Sequence, residues 1–203
     1  GELIAAAAQS AGRGSHARAY FCPPNCGVYF SLLLRPKNPR EESLAITPMA
    51  AVACSLAIDA VFGVKTGIKW VNDIYLRGKK VAGILAESDG RAVILGVGVN
   101  ISPPPSGFPD LPNAGAITCN PPELARENLI AQFVSLFWEL YSALPDTEFI
   151  AEYRARSIIL GRDIFLDGER VRAKNISDDF GLVIELSDHT QQTLNSGEVS
   201  ITL

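Results

Sequence analysis

The sequence lacks any excess of basic charge: 18 lysines and arginines stand against 22 acidic residues, a formal net charge of −4. Proteins that grip duplex nucleic acid carry the opposite balance, so nucleic acid is excluded as a main partner. Cysteine is sparse, and Cys22, Cys26, Cys54 and Cys119 show no CxxC spacing. Cys22 and Cys26 can approach one another across Pro23-Pro24-Asn25, but two ligands do not make a zinc site. These features read as reduced, structural thiols in a cytoplasmic protein. No apolar run reaches the roughly 18 residues of a membrane span and nothing resembles a signal peptide, so no membrane partner is expected. Internal repeats and low-complexity segments are absent. What is present, 47% hydrophobic and 20% charged residues over 203 positions, describes a globular chain with enough apolar mass for a core. That length suits one domain, or one plus a small appendage.

Taken in order, Leu3 to Ala8 is an apolar run without alternation, expected to be a strand buried on both faces. Gln9-Ser10-Ala11-Gly12-Arg13-Gly14-Ser15-His16-Ala17-Arg18 then forms a flexible cationic loop. Glycine-freed N–H groups and guanidinium forks suit phosphate or carboxylate oxygens, although composition alone fits an ordinary solvated loop equally well. Val28 to Leu34 is a second strand, closed by Pro36 and Pro39. Thr47-Pro48 reads as N-cap and first position of an alanine-rich helix that runs to Phe62 and stops at Gly63, with Cys54 in its core face.

Lys69-Trp70-Val71-Asn72-Asp73 and Gly78-Lys79-Lys80-Val81-Ala82-Gly83-Ile84-Leu85 place cations, an amide and a carboxylate among apolar residues. Such charges are costly without partners or a ligand. Asn72-Asp73 suit a turn between short strands at 68–70 and 74–76. Residues 80–87 and 91–100 read as a hairpin closed by Ser88-Asp89-Gly90, pairing Glu87 with Arg91, Ala82 with Gly96 and Lys80 with Gly98. Alternation then puts Lys80, Ala82, Gly96, Gly98 and Asn100 on one face, an open glycine floor with Lys80 inward and Lys79 solvated. Two surface lysines on an ordinary hairpin is the bland alternative.

Pro103 to Pro112 reads as a rigid surface connection. From Glu127 to Leu144, Ile130, Phe133, Val134, Phe137, Leu140, Tyr141 and Leu144 recur at helical spacing, a core-facing stripe that Trp138 widens. Phe149 to Arg156 is a shorter helix. Beyond residue 158 about five short strands in roughly 43 residues suggest a small barrel of SH3 type.

Gln9-Ser10-Ala11-Gly12-Arg13-Gly14, Lys69-Trp70-Val71-Asn72-Asp73-Ile74, Lys79 through Glu87 and Gly96-Val97-Gly98-Val99-Asn100 together resemble biotin protein ligase, in order and spacing, over nearly the whole chain. The resemblance implies an α+β fold: a mixed sheet with helices on one face as a catalytic domain at 1–158, then an SH3-like domain at 159–203. It implies that ATP and biotin, with Mg²⁺, form biotinyl-5′-AMP, whose acyl group passes to a lysine of a carboxylase's biotin carrier domain. Carried over, Lys80, Arg13 and Asp73 are the catalytic residues. Gln9, Arg13, Gly14, Ser15, Lys80, Gly83 and Gly96 fall on the biotin side. Arg18, Tyr20, Lys69, Asn72 and Asn100 fall on the ATP side, and no protein metal ligand is implied. Ser15 stands where the family usually has arginine, leaving His16 as a substitute, and Tyr20 where tryptophan is usual. The family's first strand, with Ser-Thr-Asn, and the helix after it are not seen ahead of the glycine loop, which points to a truncated chain whose biotin pocket lacks a wall; no DNA-binding helix-turn-helix is seen either, which points to the monofunctional form. A homodimer through an edge strand is a further expectation. Two competing readings are a lipoate–protein ligase and a non-catalytic biotin- or carrier-binding homologue.

Overall fold

The computed structural model describes residues 1–15, 18–37, 39–197 and 199–201, so His16 lies outside the described residues. Six strands, β1 (Glu2–Ala6), β2 (Gly27–Leu34), β3 (Gly67–Lys69), β4 (Asp73–Leu76), β5 (Lys79–Ser88) and β6 (Val93–Asn100), form one sheet ordered β1-β2-β6-β5-β4-β3. Every pairing within it is antiparallel, and among the described residues parallel pairing is confined to single bridges of Ile68 with Ser157 and Lys80 with Ala114. Helices α1 (Pro39–Phe62), α2 (Ala125–Ser142) and α3 (Phe149–Arg156) follow the sequence order. Four more strands, β7 (Asp163–Leu166), β8 (Glu169–Ile176), β9 (Leu182–Glu185) and β10 (Gln191–Leu194), make a second antiparallel sheet ordered β10-β9-β8-β7. Among the described residues a fifth segment contributes one bridge there, Phe165 with Ser200.

Alternation along β2 and β6 sends Val28, Phe30, Leu32, Leu34, Val93, Leu95, Val97 and Val99 to one face, where all are buried. The helices cover that face. On α2 the ring of Phe133 meets Phe30 edge-on at 5.1 Å and stacks on Phe137 at 5.6 Å. Tyr29, Ser31, Gly96 and Gly98 therefore point to the opposite, helix-free side. Helices α1 and α3 are joined by a partly buried polar knot. Arg156 donates to Asp59 at 2.6 Å, Ser55 at 2.9 Å and Glu152 at 2.6 Å, while Thr66 donates to Asp59 at 2.8 Å. Each charge taken from water there has a partner, which is what makes its burial tolerable.

Several expectations are corrected. β1 is an exposed edge strand rather than a doubly buried one, with Ile4 72% exposed, because only β2 flanks it. α1 begins at Pro39, which supplies the first-turn proline, and Pro48 lies inside the helix. The carbonyl that Pro48 leaves without an N–H belongs to Leu44, which is exposed to solvent. Gly63 ends α1 as expected, at φ +64°. By length and composition Leu44–Phe62 would suffice for a membrane span, since its scattered polar residues do not cancel its apolar content; two-thirds of it is buried inside the fold instead. Trp138 is half exposed and lies against Tyr141 rather than widening the buried stripe.

The hairpin register is the consequential correction. Glu87 pairs with Ile94, Leu85 with Gly96 and Gly83 with Gly98, around a four-residue loop. Asp89 holds that loop by accepting from the N–H groups of Arg91 and Ala92 at 2.9 Å each. The odd shift reverses alternation and would turn Lys80 toward the core. A β-bulge reverses it again: Asp73 pairs with Gly83 but Tyr75 with Lys80, leaving Val81 as the extra residue. Val81 and Ala82 are both fully buried, and Lys80 returns to the glycine side.

Candidate active site

The floor of the site is the helix-free face of β5 and β6. Above Gly96 there is room, since an added methyl would find only Leu85 O at 3.6 Å and Ser31 Oγ at 3.9 Å. Gly83 and Gly98 are covered by the ring of Tyr20, which a methyl on Gly98 would meet at 2.5 Å and one on Gly83 at 3.1 Å. Tyr20 donates its hydroxyl to Gly98 O at 2.8 Å. Burial, with smaller contributions from Cys22, Tyr29 and Asp73, pushes the Tyr20 hydroxyl well above its ordinary range and keeps it a donor. The glycine floor is thus real but partly paved by a tyrosine placed by sequence reading on the ATP side.

Lys80 lies at the edge of that paving, its Nζ 2.5 Å from Asp73 Oδ1, with both side chains mostly shielded. Asp73 opens β4 opposite Lys69, so the turn 70–72 delivers a carboxylate to the lysine on the next strand. That turn is anchored from outside the sheet. Trp70 donates its indole N–H to Phe180 O at 3.0 Å, and Tyr153 of α3 donates to Val71 O at 3.0 Å. Asn72 spends its amide on Ile84 O at 2.6 Å, tying the turn to β5. Lys69 is nearly buried and Asn100 likewise, the latter donating to Gly115 O at 3.0 Å.

Residues 9–15 lie against residues 18–22. Gln9 N–H donates to Cys22 O at 3.2 Å, Tyr20 N–H to Gly12 O at 2.8 Å and Gly14 N–H to Arg18 O at 2.7 Å. Gly12 is dictated by this packing, since a methyl there would sit 2.5 Å from Tyr20 O and 2.7 Å from Cys22 Sγ. The Cys22 thiol, raised by burial to about 11, stays protonated and donates to Gln9 Oε1 at 3.2 Å. Arg13 is not brought to Lys80: it is exposed and pairs with Glu87 at 3.3 Å on the outer end of β5. Arg18 is exposed, its Nε donating to Ser15 O at 3.3 Å.

Two cavities meet at Lys80. One, of about 520 Å³, is lined by Gln9, Arg13, Tyr29, Ser31, Leu85 and Gly96. The other, of about 480 Å³, is lined by Arg18, Lys69, Asn100, Phe108, Leu111 and Ser200 among others. Gly14, Ser15, Tyr20, Asn72, Asp73 and Lys80 line both. Of the residues assigned to biotin, Gln9, Arg13, Gly83 and Gly96 line only the first of these two cavities while Gly14 and Ser15 line both; of those assigned to ATP, Arg18, Lys69 and Asn100 line only the second while Tyr20 and Asn72 line both. Sequence reading missed Tyr29, Ser31 and Leu85, although alternation from a correct register would have found them. It also missed the wall built by residues 108–114, treated as a plain connection. Only its placement against β5 reveals the role. Lys79 is exposed as expected, yet its ammonium donates to Pro112 O at 2.7 Å and is not simply solvated. Among the described residues no group of three or more histidine, cysteine or acidic side chains is placed to hold a metal ion.

The fold is that of the biotin protein ligases. The chain belongs to the Biotin/lipoate A/B protein ligase family, which matches residues 1–102. It is 30% identical over 204 residues to the biotin–[acetyl-CoA-carboxylase] ligase of Mycobacterium tuberculosis, covering 97% of this chain and 74% of that protein. To the bifunctional ligase/repressor BirA of Bacillus subtilis it is 42% identical over 115 residues, 54% of this chain. That match spans only 35% of the Bacillus protein's length. The solved biotin protein ligase of Aquifex aeolicus in complex with biotin and ATP superposes with a TM-score of 0.79, at 22% identity, over 98% of this chain and 87% of that one.

Proposed function

We propose that the chain catalyses ATP-dependent attachment of biotin to a lysine of a biotin carrier domain, by way of biotinyl-5′-AMP. The observation that carries this reading is the Lys80 ammonium, held by Asp73 at 2.5 Å where the two cavities join. Activating a carboxylate with ATP brings two anions together, and a cation at the junction offsets that repulsion most where water is scarce. A biotin carboxylate lying over Gly96 reaches Lys80 from one cavity, and the α-phosphate reaches it from the other. A carboxylate oxygen then bonds to phosphorus as the bond to pyrophosphate breaks, and Lys80 holds the charge on the phosphoryl oxygens. In the second step the carrier lysine's amine attacks the acyl carbon, AMP leaves and the amine gives up a proton. Asp73, already beside Lys80, is the carboxylate in reach to take it.

On the biotin side, Gln9, Gly14, Ser15, Gly83 and Gly96 shape the cavity, and Arg13 closes its rim once it exchanges Glu87 for ligand. On the nucleotide side, Lys69 and Arg18 supply positive charge, while Asn72 and Asn100 hold the walls. Mg²⁺ enters as part of the nucleotide substrate, held by its phosphate oxygens and water. The same reading takes residues 159–203 as an SH3-like barrel closed by the Phe165–Ser200 bridge and 1–158 as the catalytic domain, with a cytoplasmic location and homodimer formation along the exposed edge strand β1. The test is incubation with biotin, ATP, Mg²⁺ and a purified biotin carrier domain. Labelled carrier and released pyrophosphate are expected, whereas biotin binding without pyrophosphate release would leave a binding homologue. Lipoate outcompeting biotin in thermal shift would favour the lipoate ligases instead.

A further inference from the structure

The segment after β6 does more than wall the nucleotide cavity. The β5–β6 ladder ends at the pair Ala82–Val99. Beyond it the backbone of 113–118 bonds to both strand ends. Lys80 N–H donates to Asn113 O at 2.7 Å and Gly115 N–H to Lys80 O at 2.8 Å. On the other side Ile117 N–H donates to Asn100 O at 3.1 Å and Thr118 N–H to Ile101 O at 2.9 Å. Two side chains reinforce the splint, Lys79 through Pro112 O and Asn100 through Gly115 O. It engages Lys80 where β5 carries the bulge that turns this lysine to the ligand side. With both of Lys80's backbone groups engaged there, they need no partner in a continued β5–β6 ladder, and the bulge has its compensation.

Contact at this point is close. A methyl on Gly115 would lie 2.5 Å from the Cβ of Lys79 and 3.3 Å from its Cγ. We propose that the 112–118 splint, fitted against β5 through Gly115, keeps Lys80 aimed into the cleft, so that the nucleotide wall and the activating lysine move as one unit. Gly115 and Lys79 are then positioning residues, and their effect on turnover rests on the ligase reading above. Lys79, the neighbour that alternation would leave idle, acquires a task.

The experiment compares the wild-type chain with Gly115→Ala, Lys79→Ala and the double variant Gly115→Ala/Lys79→Gly, which removes the opposing Cβ. Two readouts are taken: kcat and KM for ATP in pyrophosphate release, and thermolysin cleavage of the Ala116–Ile117 bond within the splint, which needs no ligase activity. Gly115→Ala should lower kcat about tenfold and speed cleavage severalfold, and the double variant should recover most of the kcat. Lys79→Ala should raise KM for ATP about threefold and speed cleavage. It adds no atom, so it carries the test if Gly115→Ala fails to fold. Unchanged cleavage and kcat in Gly115→Ala, or in Lys79→Ala where that stands in, would overturn the proposal, as would a double variant no better than Gly115→Ala. A wild-type chain that releases no pyrophosphate would overturn the ligase reading instead, and the cleavage rates would still decide for or against the splint.

Discussion

The two cavities that share Lys80 are nearly equal, about 520 and 480 Å³, but they are made differently. The cavity proposed for biotin rests on β2, β5 and β6, where the pleat alone decides that Tyr29, Ser31, Leu85 and Gly96 face inward. The cavity proposed for the nucleotide is framed by the turn 70–72, the loop 108–114 and Gly197, Ser200 and Ile201. Its walls stay in place through bonds from distant elements, such as Trp70 to Phe180 and Lys79 to Pro112. A floor built by a sheet answers to substitutions in the cavity itself, whereas walls built by loops answer also to substitutions far from the ligand. Lys80 belongs to both regimes: a sheet strand carries it and a loop aims it.

The largest effect should come where the two meet. Lys80→Ala should lower adenylate formation by about 10² to 10³-fold with little change in thermal unfolding, since charge is lost from a ligand face rather than from the core. A loss below tenfold in pyrophosphate release would remove Lys80 from the chemistry. Gly96→Val keeps the strand and fills open space, so KM for biotin should rise about tenfold with KM for ATP unchanged. Equal changes in both would break the division between the cavities. Trp70→Phe gives up the indole bond to Phe180 O and should cost about 1 kcal/mol of stability by denaturant unfolding. It should raise KM for ATP about threefold and leave KM for biotin alone, the mark of a wall held from a distance.

A smaller effect concerns pH. Burial raises Cys22 from an ordinary 9.0 to about 11 and Cys54 to about 12, and also raises Tyr29 and Tyr153. The unfolded chain therefore releases these protons first as pH rises. The stability they contribute is complete below pH 9 and is lost between about 9 and 12. Chemical denaturation at pH 7, 9 and 10.5 should show a flat region and then a fall, and a rise with alkalinity would contradict the burial of these groups.

By itself the sequence determined the elements with strong local signals: β2, the end of α1 at Gly63, α3, and the turn that presents Asp73. Glycine, proline and apolar period act over a few residues, so they are legible without the fold. It also carried the family motifs that singled out Lys80, whose side chain reaches the cleft even though the expected hairpin register was wrong. What only tertiary structure decided is why Lys80 faces the cleft. The answer lies in a bulge sustained by hydrogen bonds from Asn113 and Gly115, more than thirty residues along the chain. Tyr20 over the glycine floor, Arg13 drawn out to Glu87 and the wall at 108–114 were hidden for the same reason. Each is a contact between segments that have no local preference for one another, and only the assembled sheet brings them together.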